Sequence, residues 1–362
     1  FVEGWYGMED KCVIKIMEAL QERDISDFHL REGTDIYYRE VGRLKRYDYK
    51  LNRDDFRDLI GWQRFELYIQ NLTENEVDFS LELAPMRYRC NMFVTRGKLG
   101  LVMRKIVADV KTIKDMELPN CFKKVAAMKS GLVIISGPTG SGKSTSMAAI
   151  VEEININYQK HIITIEDPIE YEFESKKSLI SQREVGIDTQ SFNRALVNSL
   201  RQDPDVIVIG EIRDEETLKI ALRASETGHL CIATIHTMGA SQSIDRIMDM
   251  FSISERDKVA SNLALVLKAV ISQNLVQTIK GRKPCFDILF VDKSVANMIR
   301  EGKTNQIPNY MSTGKSKEMN MMDDDLIGLY KNGEISSSDL INNCLDINYC
   351  RRKVGGGSIG IW

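Results

Sequence analysis

The sequence predicts an α/β protein of at least two domains, built around a mostly parallel β-sheet. Its 362 residues exceed what one hydrophobic core usually serves. From about residue 130, short apolar runs alternate with helix-like stretches, which is the βαβ pattern of a parallel sheet covered on both faces. A glycine-rich loop follows the first of these runs and opens a helix. We therefore expect an α/β domain organised around this loop, preceded by a smaller domain.

Composition limits the classes of protein to which the chain can belong. The formal net charge of −3 and the pI near 6.0 give no global field that attracts nucleic acid or anionic lipid. The seven cysteines form no C-x-x-C pair, which is typical of reduced thiols in a cytosolic protein rather than of a disulfide or zinc framework. No apolar run approaches the length of a membrane span. We expect a cytoplasmic protein that reaches a membrane only through a partner.

Residues 1–110 are predicted to form a small α+β domain. Apolar spacing predicts a helix over 8–22, and residues 52–71 open with Asn52 and two acids, like a capped helix. An apolar stretch at 28–30 is strand-like, and residues 36–44 suggest a β-hairpin. Residues 76–106 alternate apolar and polar side chains as three further strands. This pattern predicts an antiparallel sheet with two helices. The segment 107–119, mixed in charge, is predicted to be a linker.

Residues 111–291 are predicted to form a RecA-like P-loop domain, because strands and helices alternate along them. The predicted elements are 132–136, 143–157, 161–167, 191–201, 205–211, 214–226, 229–236 and 240–250, followed by a helix over 254–270 and a hairpin at 274–280 and 285–291. Residues 292–350 are predicted to be a helical subdomain, with helices at 294–302, 323–332 and 337–345. We interpret residues 1–7 and the Gly-rich tail 351–362 as extensions outside the fold.

The glycine-rich loop matches the P-loop spacing G-x-x-x-x-G-K-[ST] through Gly137, Gly142, Lys143 and Ser144. Such glycines let consecutive backbone N–H groups wrap a phosphate, while the lysine reaches the outer phosphates and the hydroxyl ligates Mg²⁺. The following helix directs its N-terminus at the anion. The alternative is a purely structural glycine-rich turn. We predict that ATP and Mg²⁺ bind here, the Mg²⁺ at Ser144, and that the nucleotide-binding residues are Thr139, Gly140, Ser141, Gly142, Lys143, Ser144 and Thr145.

Acidic side chains follow two other strands of the predicted sheet. Glu166 and Asp167 come after one apolar strand, where carboxylates can hold Mg²⁺ through water or orient an attacking water. The same stretch also suits a capped acidic turn. Glu211 ends the predicted strand 205–211, directly after a glycine, which is the Walker B arrangement with a Glu as its terminal carboxylate. We predict that Glu211 polarises the water that attacks the γ-phosphate, and that Glu166 and Glu211 approach Mg²⁺ through water.

Two histidines, His229 and His236, bracket another apolar strand. Either could sense or stabilise the γ-phosphate from the end of a strand. Each alone would equally suit a hydrogen-bonded structural histidine. Both are therefore candidates for the catalytic group.

These motifs together resemble those of the type IV pilus and type II secretion motor ATPases, and most of all the pilus retraction ATPases (PilT type). The resemblance extends from about residue 20 to residue 345. In the family's order, the Walker A, Asp box, Walker B and His box correspond to 137–145, 164–171, 200–214 and 227–237. The stretch Ser26–Leu30 resembles the family's N-terminal S-D-x-H-L signature. The stretch Ile299–Pro308 resembles its retraction-type C-terminal segment.

The resemblance implies a hexameric ring motor, a homo-hexamer that hydrolyses ATP to drive pilus retraction and twitching motility. It implies a PAS-like N-terminal domain and docking on an inner-membrane platform protein, with pilin as an indirect partner. The protein would then be cytoplasmic and peripheral at the inner membrane. The family's N-terminal arginines, which act on the nucleotide, correspond to Arg89 and Arg104. Composition alone would place these two arginines on a solvated strand face.

Several alternatives remain open from the sequence. The chain has no four-cysteine metal insertion of the kind that assembly and secretion members often carry, and this favours retraction. However, Ala296 replaces the first arginine of the usual retraction segment. A pilus assembly or type II secretion ATPase is thus the first alternative. A RecA-like nucleic-acid translocase is a second, against which the mild acidity argues, and a nucleotide-gated scaffold without turnover is a third.

Overall fold

The computed structural model of the chain describes residues 12–21, 23, 25–71, 76–83, 86–106, 110–313 and 318–355. The chain divides into two compact units. The N-terminal unit comprises the residues up to Asp109 together with Glu170–Glu172, and the second unit comprises the remainder.

The N-terminal unit is an antiparallel sheet packed with helices. Its elements are α1 (Cys12–Gln21), β1 (Ile25–Arg31), β2 (Asp35–Glu40), β3 (Arg43–Lys50), α2 (Arg53–Ile60), α3 (Trp62–Asn71), β4 (Glu76–Leu83), β5 (Met86–Thr95) and β6 (Lys98–Ile106). The strand order is β3-β2-β1-β6-β5-β4, and all neighbours are antiparallel. Side chains of β1 such as Phe28 and Leu30 share one buried core with Met17 and Leu20 of α1. The predicted α+β composition is therefore present.

The prediction of one helix over 52–71 is wrong, because Gly61 divides it. Asn52 does cap the first helix, and its side chain and that of Asp55 form a reciprocal capping box. Gly61 then adopts φ 86°, and its N–H bonds to the Arg57 carbonyl at the end of α2. Glycine reaches this left-handed region without a steric cost, so α2 ends here and α3 begins at Trp62. Residues 8–11 and residue 22 of the predicted first helix lie outside the described residues.

The second unit carries a seven-stranded sheet in the order β13-β12-β7-β11-β10-β8-β9. Every neighbouring pair is parallel except β12 with β13. Its elements are α4 (Cys121–Ala126), β7 (Gly131–Ser136), α5 (Lys143–Asn157), β8 (His161–Glu166), β9 (Leu179–Glu184), α6 (Phe192–Ser199), β10 (Val206–Ile209), α7 (Glu215–Glu226), β11 (Leu230–Ile235), α8 (Ala240–Asp249), α9 (Ile253–Val266), β12 (Leu267–Thr278), β13 (Gly281–Phe290), α10 (Lys293–Arg300), a 3-10 turn (Thr304–Gln306), α11 (Ile307–Thr313), α12 (Met322–Lys331), α13 (Ser337–Asn343) and α14 (Ile347–Val354). The predicted α/β class is confirmed.

Helices cover both faces of this sheet. Successive side chains of a strand point to opposite faces, and β7 follows this rule. Leu132 and Ile134 join a cluster with α6, α7, α8 and α9. Val133 and Ile135 join another with α4 and α5. The continuous apolar runs of the sequence thus reflect strands buried on both sides.

The sheet differs from the prediction at two places, at strand β9 and at the start of strand β12. Strand β9 was not predicted, because it lies at the sheet edge and its residues mix apolar, polar and charged types. The predicted helix over 254–270 ends at Val266, and β12 begins at once and pairs in parallel with β7. The run 266–271 is mostly apolar, so periodicity alone does not separate helix from strand there. The predicted hairpin is therefore longer and forms one edge of the central sheet.

The C-terminal helices belong to the same compact unit as the sheet. Val295 and Ile299 of α10 enter the core on one sheet face. Helices α12, α13 and α14 pack around Met322, Leu326 and Leu340, against side chains of the β12–β13 hairpin. Helix α14 runs to Val354, so the prediction that the tail begins at 351 is wrong; residues 356–362 lie outside the described residues. No helix among those described combines the length and apolarity that a bilayer span requires.

The buried carboxylate of Asp287 on β13 connects this strand to helices α8 and α12. It accepts hydrogen bonds from the N–H of Ala240 at 2.7 Å and of Met322 at 3.3 Å, where α8 and α12 begin. Burial raises the pKa of Asp287 to about 6; the two N–H groups oppose this shift, and the nearby Asp323 and Asp325 carboxylates add to it. The carboxyl group is therefore more readily protonated in the folded protein than in the unfolded chain.

This shift predicts how stability depends on pH. The folded protein binds more protons than the unfolded chain between pH 4 and 6, so the contribution of Asp287 is present below this window and is lost as pH rises through 6. Relative to Asp287→Asn, the wild-type free energy of unfolding should fall by up to about 1.4 kcal/mol per pH unit across it. Chemical denaturation at pH 4, 5, 6 and 7 measures this difference. The exposed Asp257→Asn serves as the control, and parallel curves for wild type and Asp287→Asn would contradict the assignment.

Candidate functional site

The loop between β7 and α5 has the backbone of a phosphate-binding loop. Gly137, Gly140 and Gly142 adopt φ values of 145°, 78° and 88°, which are left-handed conformations that favour glycine. At Gly137 a Cβ atom would lie 2.1 Å from the Gln273 carbonyl oxygen, so no side chain fits. Helix α5 begins directly afterwards at Lys143. The N–H groups of a loop and helix start of this kind form an anion-binding cradle.

Lys143 connects this loop to the next strands. Its ammonium group donates to the carbonyls of Gly137 at 2.8 Å and Pro138 at 2.9 Å. The same nitrogen lies 3.3 Å from Nδ1 of His236. An ammonium group can only donate, so Nδ1 accepts, and a neutral imidazole then carries its proton on Nε2. Lys143 is 7% exposed, so its positive charge lies buried against the Gly137 and Pro138 carbonyls of the loop.

Glu211 extends this chain of contacts. Its Oε1 lies 3.1 Å from His236 Nε2, which donates in the tautomer deduced above. Its Oε2 accepts from Nε and from Nη2 of Arg213, both at 2.8 Å. Lys143, His236 and Glu211 thus form a continuous series that joins the phosphate-binding loop to the carboxylate after β10. The structure brings together the three predicted groups that the sequence separates by up to 93 residues.

Glu166 ends β8, the strand that pairs with β10, and Asp167 is the next residue along the chain. Strands β8 and β10 pair with Ile165 opposite Ile209, so Glu166 adjoins Gly210, where a Cβ atom would lie 3.4 Å from the Glu166 Cα. Glu166 is buried and accepts from the Thr164 hydroxyl at 2.7 Å. Asp167 is exposed. A buried carboxylate on the strand next to β10, together with Glu211 after β10, offers the oxygen ligands that a hard cation bound to phosphates prefers.

His229 does not belong to this cluster. It precedes β11, whereas His236 follows it, and β11 runs parallel to β7 with Leu230 opposite Gly131. Six strand residues at roughly 3.3 Å each therefore separate His229 from the P-loop edge. His229 Nδ1 lies 3.0 Å from the Ala224 carbonyl, to which it donates at the end of α7. Within this chain His229 therefore stabilises the end of α7, away from the P-loop, and its predicted action on a γ-phosphate stays a prediction.

One buried polar residue at the loop was not predicted. Gln273 on β12 donates to the Ser141 carbonyl at 2.8 Å and accepts from the Ser146 hydroxyl at 2.6 Å. No P-loop motif includes it. The available signal was an uninterrupted polar triplet, 272–274, inside an otherwise apolar strand.

The predicted arginines lie in the N-terminal unit, on adjacent strands. Arg89 of β5 and Arg104 of β6 are register partners. Arg89 is exposed, and Arg104 donates from Nε to Asp27 at 2.8 Å. Their action on the nucleotide stays a prediction.

Residues 63–341 match the model of the protein family described as type II/IV secretion system protein. This match spans more than half of the chain. The chain belongs to this family.

Individual relatives agree with this assignment. The chain is 46% identical over 274 residues to the twitching motility protein of Neisseria gonorrhoeae, covering 75% of this chain and 72% of the relative. It is 38% identical over 331 residues to the type IV pilus retraction ATPase PilT of Pseudomonas aeruginosa, covering 90% and 95%. A crystal structure of the pilus retraction motor PilT with bound ADP aligns with a TM-score of 0.84 at 38% identity, covering 94% and 98%. The predicted family, α/β fold class and ATPase class are confirmed, and the PAS-like character of the N-terminal unit stays a prediction.

Proposed function

We propose that the chain is the Mg²⁺-dependent ATPase of a hexameric ring that drives type IV pilus retraction. The observation that carries the proposal is the contact series from Lys143 through His236 to Glu211. It places a phosphate-binding cation and a carboxylate on the two sides of one neutral imidazole. The relatives named for twitching motility and pilus retraction support the direction of work.

In this proposal the loop amides of 139–145 and Lys143 hold the phosphates of ATP. Phosphate oxygens compete with the Gly137 and Pro138 carbonyls for the Lys143 ammonium group, and a phosphate oxygen is the stronger acceptor because it is charged. Glu211 orients the water whose oxygen forms a bond to the γ-phosphorus while the bond from that phosphorus to the β,γ-bridging oxygen breaks. The water proton passes toward the Glu211 carboxylate. His236 keeps that carboxylate in place by donating from Nε2.

The oxygen donors at the site suit Mg²⁺. A hard cation prefers hydroxyl and carboxylate oxygens, and the start of α5 and the ends of β10 and β8 supply Ser144, Glu211 and Glu166. We propose that Ser144 ligates the ion directly and that the two glutamates approach it through water. The ion would neutralise charge on the β- and γ-phosphates.

The assembly that we propose is a homo-hexamer docked on an inner-membrane platform protein at the cytoplasmic side, with pilin as its indirect cargo. This part rests on the resemblance to retraction motors. A pilus assembly ATPase of the same family is the second candidate, because Ala296 departs from the retraction segment. Ala296 is half-buried against the core of the sheet.

Complementation tests the direction of work. Expression of the chain in a strain whose pili extend but cannot retract should restore twitching. An assembly ATPase would instead restore pili in a strain that makes none, and that result alone would overturn retraction. A nucleic-acid translocase would retain single- or double-stranded DNA on a filter at low salt, which we expect the chain not to do.

The arginine prediction has its own test. Single-turnover hydrolysis should slow by about 10³-fold or more in Arg89→Ala and Arg104→Ala, if these guanidinium groups stabilise transition-state charge. Lysine at either position should not restore the rate, because it lacks the planar fork. Asp27→Asn is the control for Arg104, since it breaks the same ion pair and keeps the arginine. Wild-type rates in both alanine variants would mean that the two arginines are surface charges.

A further inference from the structure

Gln273 lies where the P-loop approaches β12, and both ends of its side-chain amide are engaged. Its Nε2 donates to the Ser141 carbonyl at 2.8 Å, and its Oε1 accepts from the Ser146 hydroxyl at 2.6 Å. The residue is 2% exposed. Ser141 lies in the phosphate-binding loop and Ser146 lies in the first turn of α5, so one side chain connects the two parts of the anion cradle.

The contact with Ser141 fixes the direction of a phosphate-binding amide. In a trans peptide the C=O of one residue and the N–H of the next point in opposite directions. The Ser141 carbonyl points at Gln273, and therefore the Gly142 N–H points away from β12. Because Gln273 holds this peptide plane, it also holds the N–H group that a P-loop offers to a phosphate.

The backbone around Gln273 shows how closely β12 approaches the loop. A Cβ atom at Gly137 would lie 2.1 Å from the Gln273 carbonyl oxygen, and one at Gly142 would lie 2.8 Å from its Nε2. The two glycines of the P-loop spacing are thus required by the fit against Gln273 as well as by their own φ values. The amide has one orientation, because Ser141 offers only an acceptor to it and Ser146 donates to its other end.

We propose that Gln273 is a positioning residue for the P-loop, which pre-orients the Ser141–Gly142 peptide for the phosphates of ATP and ADP. It acts through the loop, because its side-chain hydrogen bonds go to Ser141 and Ser146, which are not members of the Lys143–His236–Glu211 series. This inference rests on the proposed binding of nucleotide at the P-loop. A loop that is already ordered loses less entropy on binding, so the residue contributes to affinity for both nucleotides rather than to the chemical step.

Gln273→Met tests the proposal, because Met fills a similar volume without hydrogen bonds. The dissociation constants for Mg·ATP and Mg·ADP should both rise about tenfold, the worth of roughly 1.4 kcal/mol, while kcat at saturating ATP stays within about threefold. Gln277→Met, an exposed glutamine on the same strand, should bind both nucleotides as the wild type does. The melting temperature without nucleotide is measured for every variant.

Ser146→Ala is the second variant, and it leaves the residues of β12 unaltered because Ser146 lies on α5. It removes the group that anchors the Gln273 amide, so affinity for both nucleotides should fall in the same direction by a smaller factor. In the double variant the loss should not exceed that of Gln273→Met alone, because the two groups act through one contact. This variant tests the proposal even where Gln273→Met folds poorly.

Three results in Gln273→Met itself would overturn the proposal: wild-type affinity, a loss of affinity that merely follows the loss of melting temperature, or a loss confined to kcat. Additive effects of Gln273→Met and Ser146→Ala would also contradict it. Lys143→Ala separates this inference from the proposed function. If Lys143→Ala binds ATP normally, nucleotide does not bind at the P-loop; if it loses ATP and Gln273→Met does not, only the role of Gln273 is wrong.

Discussion

Glu211→Gln should lower ATP turnover at least about a hundredfold, the usual contribution of a positioned base, while ATP affinity stays near the wild-type value. The phosphates are held by the loop amides and Lys143, none of which this change removes. The amide keeps the size of the carboxylate, and one of its atoms can still accept from His236. The neutral side chain, however, cannot attract the proton of the attacking water.

The measurement for Glu211→Gln pairs equilibrium binding of a fluorescent ATP analogue with steady-state phosphate release. Glu226→Gln, an exposed change at the end of α7, is the matched control and should behave as the wild type. If Glu211→Gln loses affinity and turnover by the same factor, Glu211 serves binding and does not act on water.

Lys143→Ala should lower ATP affinity about a hundredfold or more, and turnover should fall with it. The ammonium group is the cation at the inner end of the loop, and charge-assisted hydrogen bonds to phosphate contribute about 1.5–3 kcal/mol each. Its removal also leaves His236 Nδ1 without the donor that sets its tautomer. We therefore expect a defect in binding first, unlike that of Glu211→Gln.

Isothermal titration with ATP and with ADP measures this defect. Lys177→Ala, which removes an exposed lysine of the same unit, is the control. ATP binding of wild-type strength in Lys143→Ala would mean that nucleotide does not bind at the P-loop, and that the ammonium group serves only to hold the loop carbonyls.

The sequence predicted those parts of the site that depend on local spacing. The P-loop, the start of α5 at Lys143 and the position of Glu211 after a buried strand all follow from short stretches with one strong pattern. The same holds for the parallel sheet, whose strands are apolar on both faces. Periodicity failed where one apolar run suits both helix and strand, as at the junction of α9 and β12.

Contacts between distant residues could not be predicted in this way. The roles of Gln273 and of Asp287 depend on β12 and β13 joining the central sheet, and this pairing has no local signature. His229 and His236 flank the same strand in the sequence, and only the direction of β11 relative to β7 shows which of them faces the loop. Gly61 divides a helix that apolar spacing alone would continue.

Imaging of fluorescently labelled pili tests whether ATP hydrolysis by this chain drives pilus retraction. The cells lack their own retraction ATPase and express either the wild-type chain or Glu211→Gln at equal levels. We expect pili to shorten in cells with the wild-type chain and to stay extended in cells with Glu211→Gln. Pili that lengthen with the wild-type chain, or that shorten equally with both, would contradict it.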